Sequence, residues 1–426
     1  MKTALLVLSL VASALAQTSA VSSEVDAVFP AARSLYLDLH QNPELSSHEI
    51  RTASELAGKL RALGYEVTEH VGGTGIVALL KNGNGPTVML RTELDALPVE
   101  EKTGLVYASH AHAKDDQGHD VPVMHACGHD MHMASLYGAA EIMQKSRQQW
   151  HGTLMLIGQP AEETLGGAKA MLADHLFTRF PKPDIGLALH TSNELPAGKI
   201  GLSAGYRKSN ADALGVTIYG KGGHGSKPES TIDPVLIAAK IVVALQAIVS
   251  REIHPGDPAV ITVGLMQAGT KNNIIPDQAF LGLTVRSYSP EVRQKLLASI
   301  QRVVDAEATA GGAVKMPKIE HLEATDAVYN DPAVSQRLRP VLRLALGEAN
   351  VVEVPPTMAS EDYSLFIEQG VPSVYLSLGG ADPQKWAVAK GADMPSNHSS
   401  LFQPELEPTL RTGITAEVAA LRALLQ

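Results

Sequence analysis

The sequence predicts an α/β protein: a sheet domain with a smaller βαββαβ domain inserted into it. Three observations predict this. Apolar strands alternate with amphipathic helices over residues 24–206 and again over 323–426. Between them, residues 207–322 run strand, helix, strand, strand, helix, strand, the ferredoxin-like order. Polar and titratable residues gather just past the strand ends of the sheet domain, where open α/β sheets place their chemistry.

Length and composition fit. The chain has 426 residues, 45% hydrophobic and 19% charged, enough for two or three cores. A formal net charge of -10 argues against nucleic acid as the main partner. Residues 1–16 read as a secretory signal: Lys2, an apolar run from Ala4 to Ala12, and a small-x-small site at Ala14, Leu15 and Ala16. That run is too short to span a bilayer, and no later segment has the uninterrupted apolar length of a membrane helix. The mature protein is therefore expected to be exported, periplasmic or secreted, and free of the membrane. Its single cysteine allows no internal disulfide.

Residues 25–40 and 47–63 form the first two helices. Ser46 and Glu49 have capping-box spacing at the second start, and Gly64 ends it. Strands follow at 65–68, 75–80 and 87–90, with a turn over Asn82, Gly83, Asn84 and Gly85 between the last two. The third runs into Arg91, Thr92, Glu93, Leu94 and Asp95.

The centre of the chain is the stretch from Met124 to His132. It packs His125, His129, His132, Asp130 and Cys127 into one loop that enters a helix over 131–145, and Gly128 supplies the sharp turn. Cys127 has three readings: a buried apolar thiol, a nucleophile paired with histidine, or a metal ligand. A strand over 152–157 then delivers Glu162 and Glu163. Adjacent side chains point in different directions, so one carboxylate can hold metal while the other faces a substrate water. The pair also suits the start of the helix read at 164–172. A strand over 184–189 ends at His190.

In the inserted domain the strands are 212–220, 259–267, 278–286 and 315–322, and the helices 232–249 and 290–308. Helices at 332–346, 362–369 and 406–425 and strands at 350–354 and 372–377 complete the sheet domain. A Gly/Pro/Asp-rich loop ends in Asn397, His398, Ser399 and Ser400.

Taken together, Glu93-Leu94-Asp95-Ala96-Leu97-Pro98, His125-Ala126-Cys127-Gly128-His129-Asp130, Gln159-Pro160-Ala161-Glu162-Glu163, Ala188-Leu189-His190, Gly222-Gly223-His224-Gly225, Asn273-Ile274-Ile275-Pro276-Asp277, Ser360-Glu361-Asp362 and Asn397-His398-Ser399 are in a telling order. The chain resembles the two-metal peptidase family of aminoacylase and glutamate carboxypeptidase. Within it, the amidohydrolase branch is nearest: aminoacylase-like, hippurate-hydrolase-like and auxin-conjugate-hydrolase-like enzymes. The resemblance implies a mixed-sheet, zinc-peptidase-like catalytic domain and a satellite domain that dimerises. It implies two divalent metal ions (Zn, Mn, Co or Ni) held by Cys127, His129, Glu163, His190 and His398, with Glu162 as general base. Glu93 and Asp95 would orient ligands. Asn273 and Arg286 would bind a substrate carboxylate, and His224 would act across the dimer interface on the developing oxyanion.

The implied activity is hydrolysis of the amide bond of N-acyl amino acids or related small amides. A metallo-carboxypeptidase on short peptides, an inactive metal- or ligand-binding protein and a cysteine amidase are the alternatives. The chain departs from the family pattern in having Glu93 for Asp, Met131 for a small residue, and Glu229 after Pro228 where relatives often carry His. His125 and His132 match no ligand position and are read as structural or supporting. His110, His112 and His119, with Asp115, Asp116 and Asp120, form either a solvated loop or an accessory metal site. Lys221, Lys227 and Arg251 are read as solvated charges.

Overall fold

The computed structural model describes residues 21–389 and 394–426. The expected leader lies outside the described residues. The chain forms two compact units: Met1–Gly205 with Tyr329–Pro355 and Leu365–Gln426, and Tyr206–Val328 with Pro356–Ser364.

The first unit is built on an eight-stranded mixed sheet. Its order is Glu66–Thr68, Ile76–Asn82, Gly152–Gln159, Thr87–Glu93, Ile185–Pro196, Ser373–Ala381, Ile200–Gly201, Val351–Val352. Thr87–Glu93 runs parallel to both its neighbours, and Ser373–Ala381 parallel to Ile185–Pro196. These central strands are buried along most of their length, as a sheet covered on both faces requires. The helices Lys2–Gln41 (from Val21 on), His129–Lys145 and Leu406–Leu424 pack against one another in the main core. His129–Lys145 is buried on nearly every side, so its first residue is held by a rigid central element.

Several local expectations are corrected. The capping box does not form: Ser46 donates instead to Asp95, and the Glu49 carboxylate accepts from Ser47, Thr74 and Ala161. The turn at Asn82–Gly85 joins strands that are not paired, because Gly152–Gln159 lies between them. His190 does not end its strand. Pairing with Thr87–Glu93 stops at Arg91 and Ala188, while pairing with Ser373–Ala381 continues past His190. The helix after Glu163 starts only at Gly167, where a Cβ would sit 1.5 Å from the Pro160 carbonyl oxygen.

The second unit is a four-stranded antiparallel sheet in the order Ala259–Ala268, Gln278–Ser287, Asn210–Tyr219, Lys315–Thr325. With helices Pro234–Glu252 and Pro290–Ala310 it forms the expected ferredoxin-like pattern. Both helices start at a side-chain cap, Asp233 and Ser289, followed by proline. Leu214, Val216, Ile218, Leu281, Leu283 and Val285 pack with residues of both helices. The boundaries differ from those read at 207–322 and 323–426. The second unit runs on to Val328 and regains Pro356–Ser364, because Thr357 bonds Arg207 and Ser209 bonds Ala359 through the backbone. Pro234–Glu252 is also long and apolar enough to cross a membrane, contrary to the sequence reading. One face of it is buried, while Val235, Leu236 and Val243 are exposed.

Candidate metal centre and active site

Five elements of the first unit deliver the predicted ligands to one place. Cys127 precedes the left-handed Gly128, and His129 opens the buried helix. Glu162 and Glu163 follow the strand Gly152–Gln159, His190 lies within Ile185–Pro196, and His398 sits in the loop before the last helix. Cys127, His129 and His190 offer ligand atoms within 4.8 Å of one another; so do Cys127, Glu163 and His398, and likewise His129, Glu162 and Glu163. Cys127 Sγ is 3.4 Å from His190 Nε2, and His398 Nε2 is 3.3 Å from Glu163 Oε2.

The donor set fits a divalent metal pair. His129 donates from Nδ1 to the Asp95 carbonyl, 2.8 Å away, which leaves the Nε2 lone pair facing inward. His190 Nδ1 likewise donates to the Thr191 carbonyl at 2.8 Å. His129 Nε2 and Glu163 Oε1 are buried with no hydrogen-bond partner among the described residues, an arrangement that costs several kcal/mol unless a cation or water fills it. Cys127 belongs to two of the three clusters, as a thiolate shared by two cations would. Burial, and then Glu163, push the Cys127 thiol well above the ordinary range. Burial also raises Glu163. A thiol held protonated in this way is a poor nucleophile but becomes a good ligand once a cation displaces its proton.

The carboxylate loop is constrained. Ala161 and Leu165 both adopt left-handed backbone, at φ 47° and 53°, on either side of Glu162 and Glu163. Non-glycine residues persist there only where the surroundings impose it. Here Glu49 holds the Ala161 N–H at 2.7 Å and Asp95 Oδ2 holds the Glu163 N–H at 2.9 Å. His398, at φ 69°, is a third such residue, tied by its N–H to the Ala126 carbonyl. Asn397 donates to the carbonyls of Cys127 and Thr191 at 3.2 and 3.1 Å, binding the last loop to the first.

Glu93 and Asp95 are both buried beneath this cluster. Asp95 holds the Glu163 backbone, and its own carbonyl holds His129. Glu93 bonds His132 and the buried Arg91 rather than any of the five predicted ligands. From the sequence His132 is read as structural or supporting, as it proves to be, while Arg91, Thr191 and His40 are given no role here. His40 bridges Asp130 and Glu101; burial lowers its pKa, but the two carboxylates outweigh that and raise it to about 9. Only the run of Arg91 into Glu93 hinted at a buried ion pair. His125 is buried without a ring partner among the described residues, and burial lowers its pKa to about 4, so it is neutral.

Residues 89–398 match the model of peptidase family M20/M25/M40. The chain belongs to this family. It is 39% identical over 335 residues to a hippurate hydrolase of Campylobacter jejuni, covering 78% of this chain and 83% of that one. It is 37% identical over 382 residues to thermostable carboxypeptidase 2 of Saccharolobus solfataricus, covering 89% of this chain and 91% of that one. A crystal structure of a dinuclear metal-binding M20 peptidase from Bacillus subtilis superposes with a TM-score of 0.76 at 28% identity, covering 94% of this chain and all of that one.

In this M20 chain the residues predicted to act on the substrate carboxylate and the oxyanion, Asn273, Arg286 and His224, fall in the second unit. His224 is exposed on a short strand paired with Ile274–Ile275. Ser226 donates its N–H to His224 Nδ1 at 3.1 Å, which places the imidazole proton on Nε2. Asn273 is exposed beside it, its carbonyl accepting from Gly225. Arg286 is half-buried and donates to the Met358 carbonyl at 2.8 Å and to Ser360. Glu229, Lys221, Lys227 and Arg251 are exposed. Met131 is fully buried in the main core, which accounts for a large side chain there. His112 and His119 each pair with a separate carboxylate, the exposed Asp120 and the half-buried Asp115, so they form a solvated hairpin rather than one shared metal site.

Proposed function

We propose that this M20 enzyme is an exported amidohydrolase that cleaves N-acyl amino acids or related small amides to a carboxylate and a free amino acid. The observation that carries the reading is the pair of donor clusters sharing Cys127, with Glu162 alongside. Two divalent cations held by Cys127, His129, Glu163, His190 and His398 would polarise the amide carbonyl and acidify a water. Glu162, with an oxygen 3.8 Å from His129 Nε2, takes the proton of the attacking water and passes it to the leaving nitrogen. A pure binding site has no use for a second carboxylate beside Glu163, and a buried Cys127 engaged by two cations is not free to act as the nucleophile of a cysteine amidase.

The exposed apolar residues of Pro234–Glu252, with Leu265, Met266 and Ile274, support association of two copies through the second unit. His224, exposed with its proton on Nε2, is then suited to donate to the carbonyl oxygen as charge develops in the partner copy's site. Asn273 and Arg286 are assigned to the substrate carboxylate, which a guanidinium recognises. Hippurate is itself an N-acyl amino acid, so the Campylobacter jejuni relative favours this substrate class. The Saccharolobus solfataricus relative, named a carboxypeptidase, supports short peptides as the second reading.

Exhaustive chelation should abolish turnover, and zinc, manganese, cobalt or nickel should restore it; full activity in a verified metal-free preparation overturns the proposal. A panel of N-acetyl, N-benzoyl and indole-acyl amino acids against dipeptides separates the two readings. Faster turnover of dipeptides would favour the carboxypeptidase.

A further inference from the structure

Below the metal-ligand cluster runs a buried polar chain that uses none of the five ligands. Arg91, Glu93, His132 and Thr191 are each 1% exposed or less. Arg91 pairs with Glu93 Oε1. Glu93 Oε2 lies 2.8 Å from His132 Nδ1. The backbone N–H of Thr191 donates to His132 Nε2, also at 2.8 Å.

The direction of each bond follows from chemistry. A peptide N–H only donates, so His132 Nε2 must present its lone pair. The ring proton of neutral His132 therefore sits on Nδ1 and is donated to Glu93, whose charge Arg91 balances. Both nitrogens are then committed. This rejects Glu93, His129 and His132 as a metal site, although their ligand atoms also lie within 4.8 Å of one another.

The far end of the chain is the peptide that links His190 to Thr191. Its N–H is held by His132. The carbonyl of Thr191 accepts from His190 Nδ1 at 2.8 Å and from Asn397 at 3.1 Å. The His132 and His190 rings lie with centroids 4.8 Å apart. The backbone that aims His190 Nε2 at Cys127 is thus fixed through His132.

We propose that His132, oriented by Glu93 and Arg91, is a positioning residue that sets the metal affinity of the His190 site through the Thr191 N–H. This rests on the two-metal reading above. It assigns His132 a role that neither ligation nor simple packing supplies: an acceptor of one fixed tautomer aimed at Thr191, whose N–H and hydroxyl both lie 2.8 Å from Nε2. Groups that orient ligands in this way are worth roughly 10–100-fold in metal affinity.

The test measures metal stoichiometry and both dissociation constants by chelator competition, with the visible spectrum of the cobalt-loaded protein as a second readout. His132→Phe keeps the ring and loses the acceptor; His132→Gln restores an acceptor. The expected result is that His132→Phe binds one of the two ions roughly 10–100-fold more weakly, with a changed cobalt spectrum and an unchanged far-UV circular dichroism spectrum, and that His132→Gln recovers most of the affinity. Glu93→Gln, which cannot balance Arg91, serves if His132→Phe does not fold, and should weaken the same ion. Unchanged affinities and spectrum in His132→Phe, or in Glu93→Gln where that variant stands in, overturn the proposal, as do equal losses in the Phe and Gln variants. If the wild-type chain itself fails to bind two ions, the functional reading fails and the proposal falls with it. Normal wild-type binding with an unaffected variant removes the relay alone.

Discussion

Glu162 and Glu163 are neighbours in the chain to which the proposed reaction assigns different tasks. The N–H of Glu163 is fixed by Asp95 and its carboxylate meets His398, so it is placed as a ligand. Glu162 lies beside His129. Glu162→Gln should therefore retain metal and lose about 10²–10⁴ in kcat, the usual weight of a general base. Glu163→Ala should lower metal content. Metal analysis beside steady-state kinetics checks both, and the reverse pattern would mean that the roles are exchanged. At this scale it was the family resemblance, not the residue pattern alone, that named the donors the structure gathers: Cys127, His129, Glu163, His190 and His398. His132 was legible only as a structural or supporting residue. The particular role proposed for it depends on which backbone N–H lies opposite its ring, a partner 59 residues away in the chain.

At the scale of elements, Glu417 ties the last helix to His129–Lys145 by accepting from Ser135 at 2.7 Å. Burial, and to a smaller extent Glu93, raise its pKa from 4.5 to about 8. The folded state therefore holds a proton that the unfolded chain releases at lower pH. Stability from this group is full below about pH 4.5 and is lost as pH rises toward 8. Glu417→Gln, which mimics the protonated acid, should match wild type near pH 4.5 and exceed it above pH 8, by up to a few kcal/mol at about 1.4 per pKa unit. Thermal melts of both proteins across that range measure it; parallel curves would show that Glu417 does not titrate as stated. Long periodic elements were readable: Pro332–Leu346 matches its predicted span residue for residue, and the βαββαβ order appears as read. What was not readable depends on distant partners. Ser46 and Glu49 have capping spacing, but Asp95 and the Ala161 N–H compete for them and win. His190 looked like a strand end because the apolar run stops there, whereas pairing with Ser373–Ala381 carries the strand onward.

At the scale of the whole molecule, the assignment of His224 to a partner copy has a decisive experiment. Glu162→Ala and His224→Ala, each inactive alone, are mixed under subunit exchange. If His224 acts in trans, one site of each heterodimer regains both groups, and activity in an equimolar, fully exchanged mixture returns toward about a quarter of wild type. A dead mixture with proven heterodimers, or an active monomer, refutes it. The division of the chain has a separate consequence for engineering. The polypeptide passes from one unit to the other four times, and the last visit, Pro356–Ser364, brings residues whose backbone bonds reach Arg207 and Ser209. The inserted portion is therefore not a cassette. Excising 206–328 and sealing the ends would orphan that short segment, and grafting 206–328 elsewhere would leave the Arg286 guanidinium without the Met358 carbonyl it now engages. A transplantable version must carry both pieces, joined by a new connection.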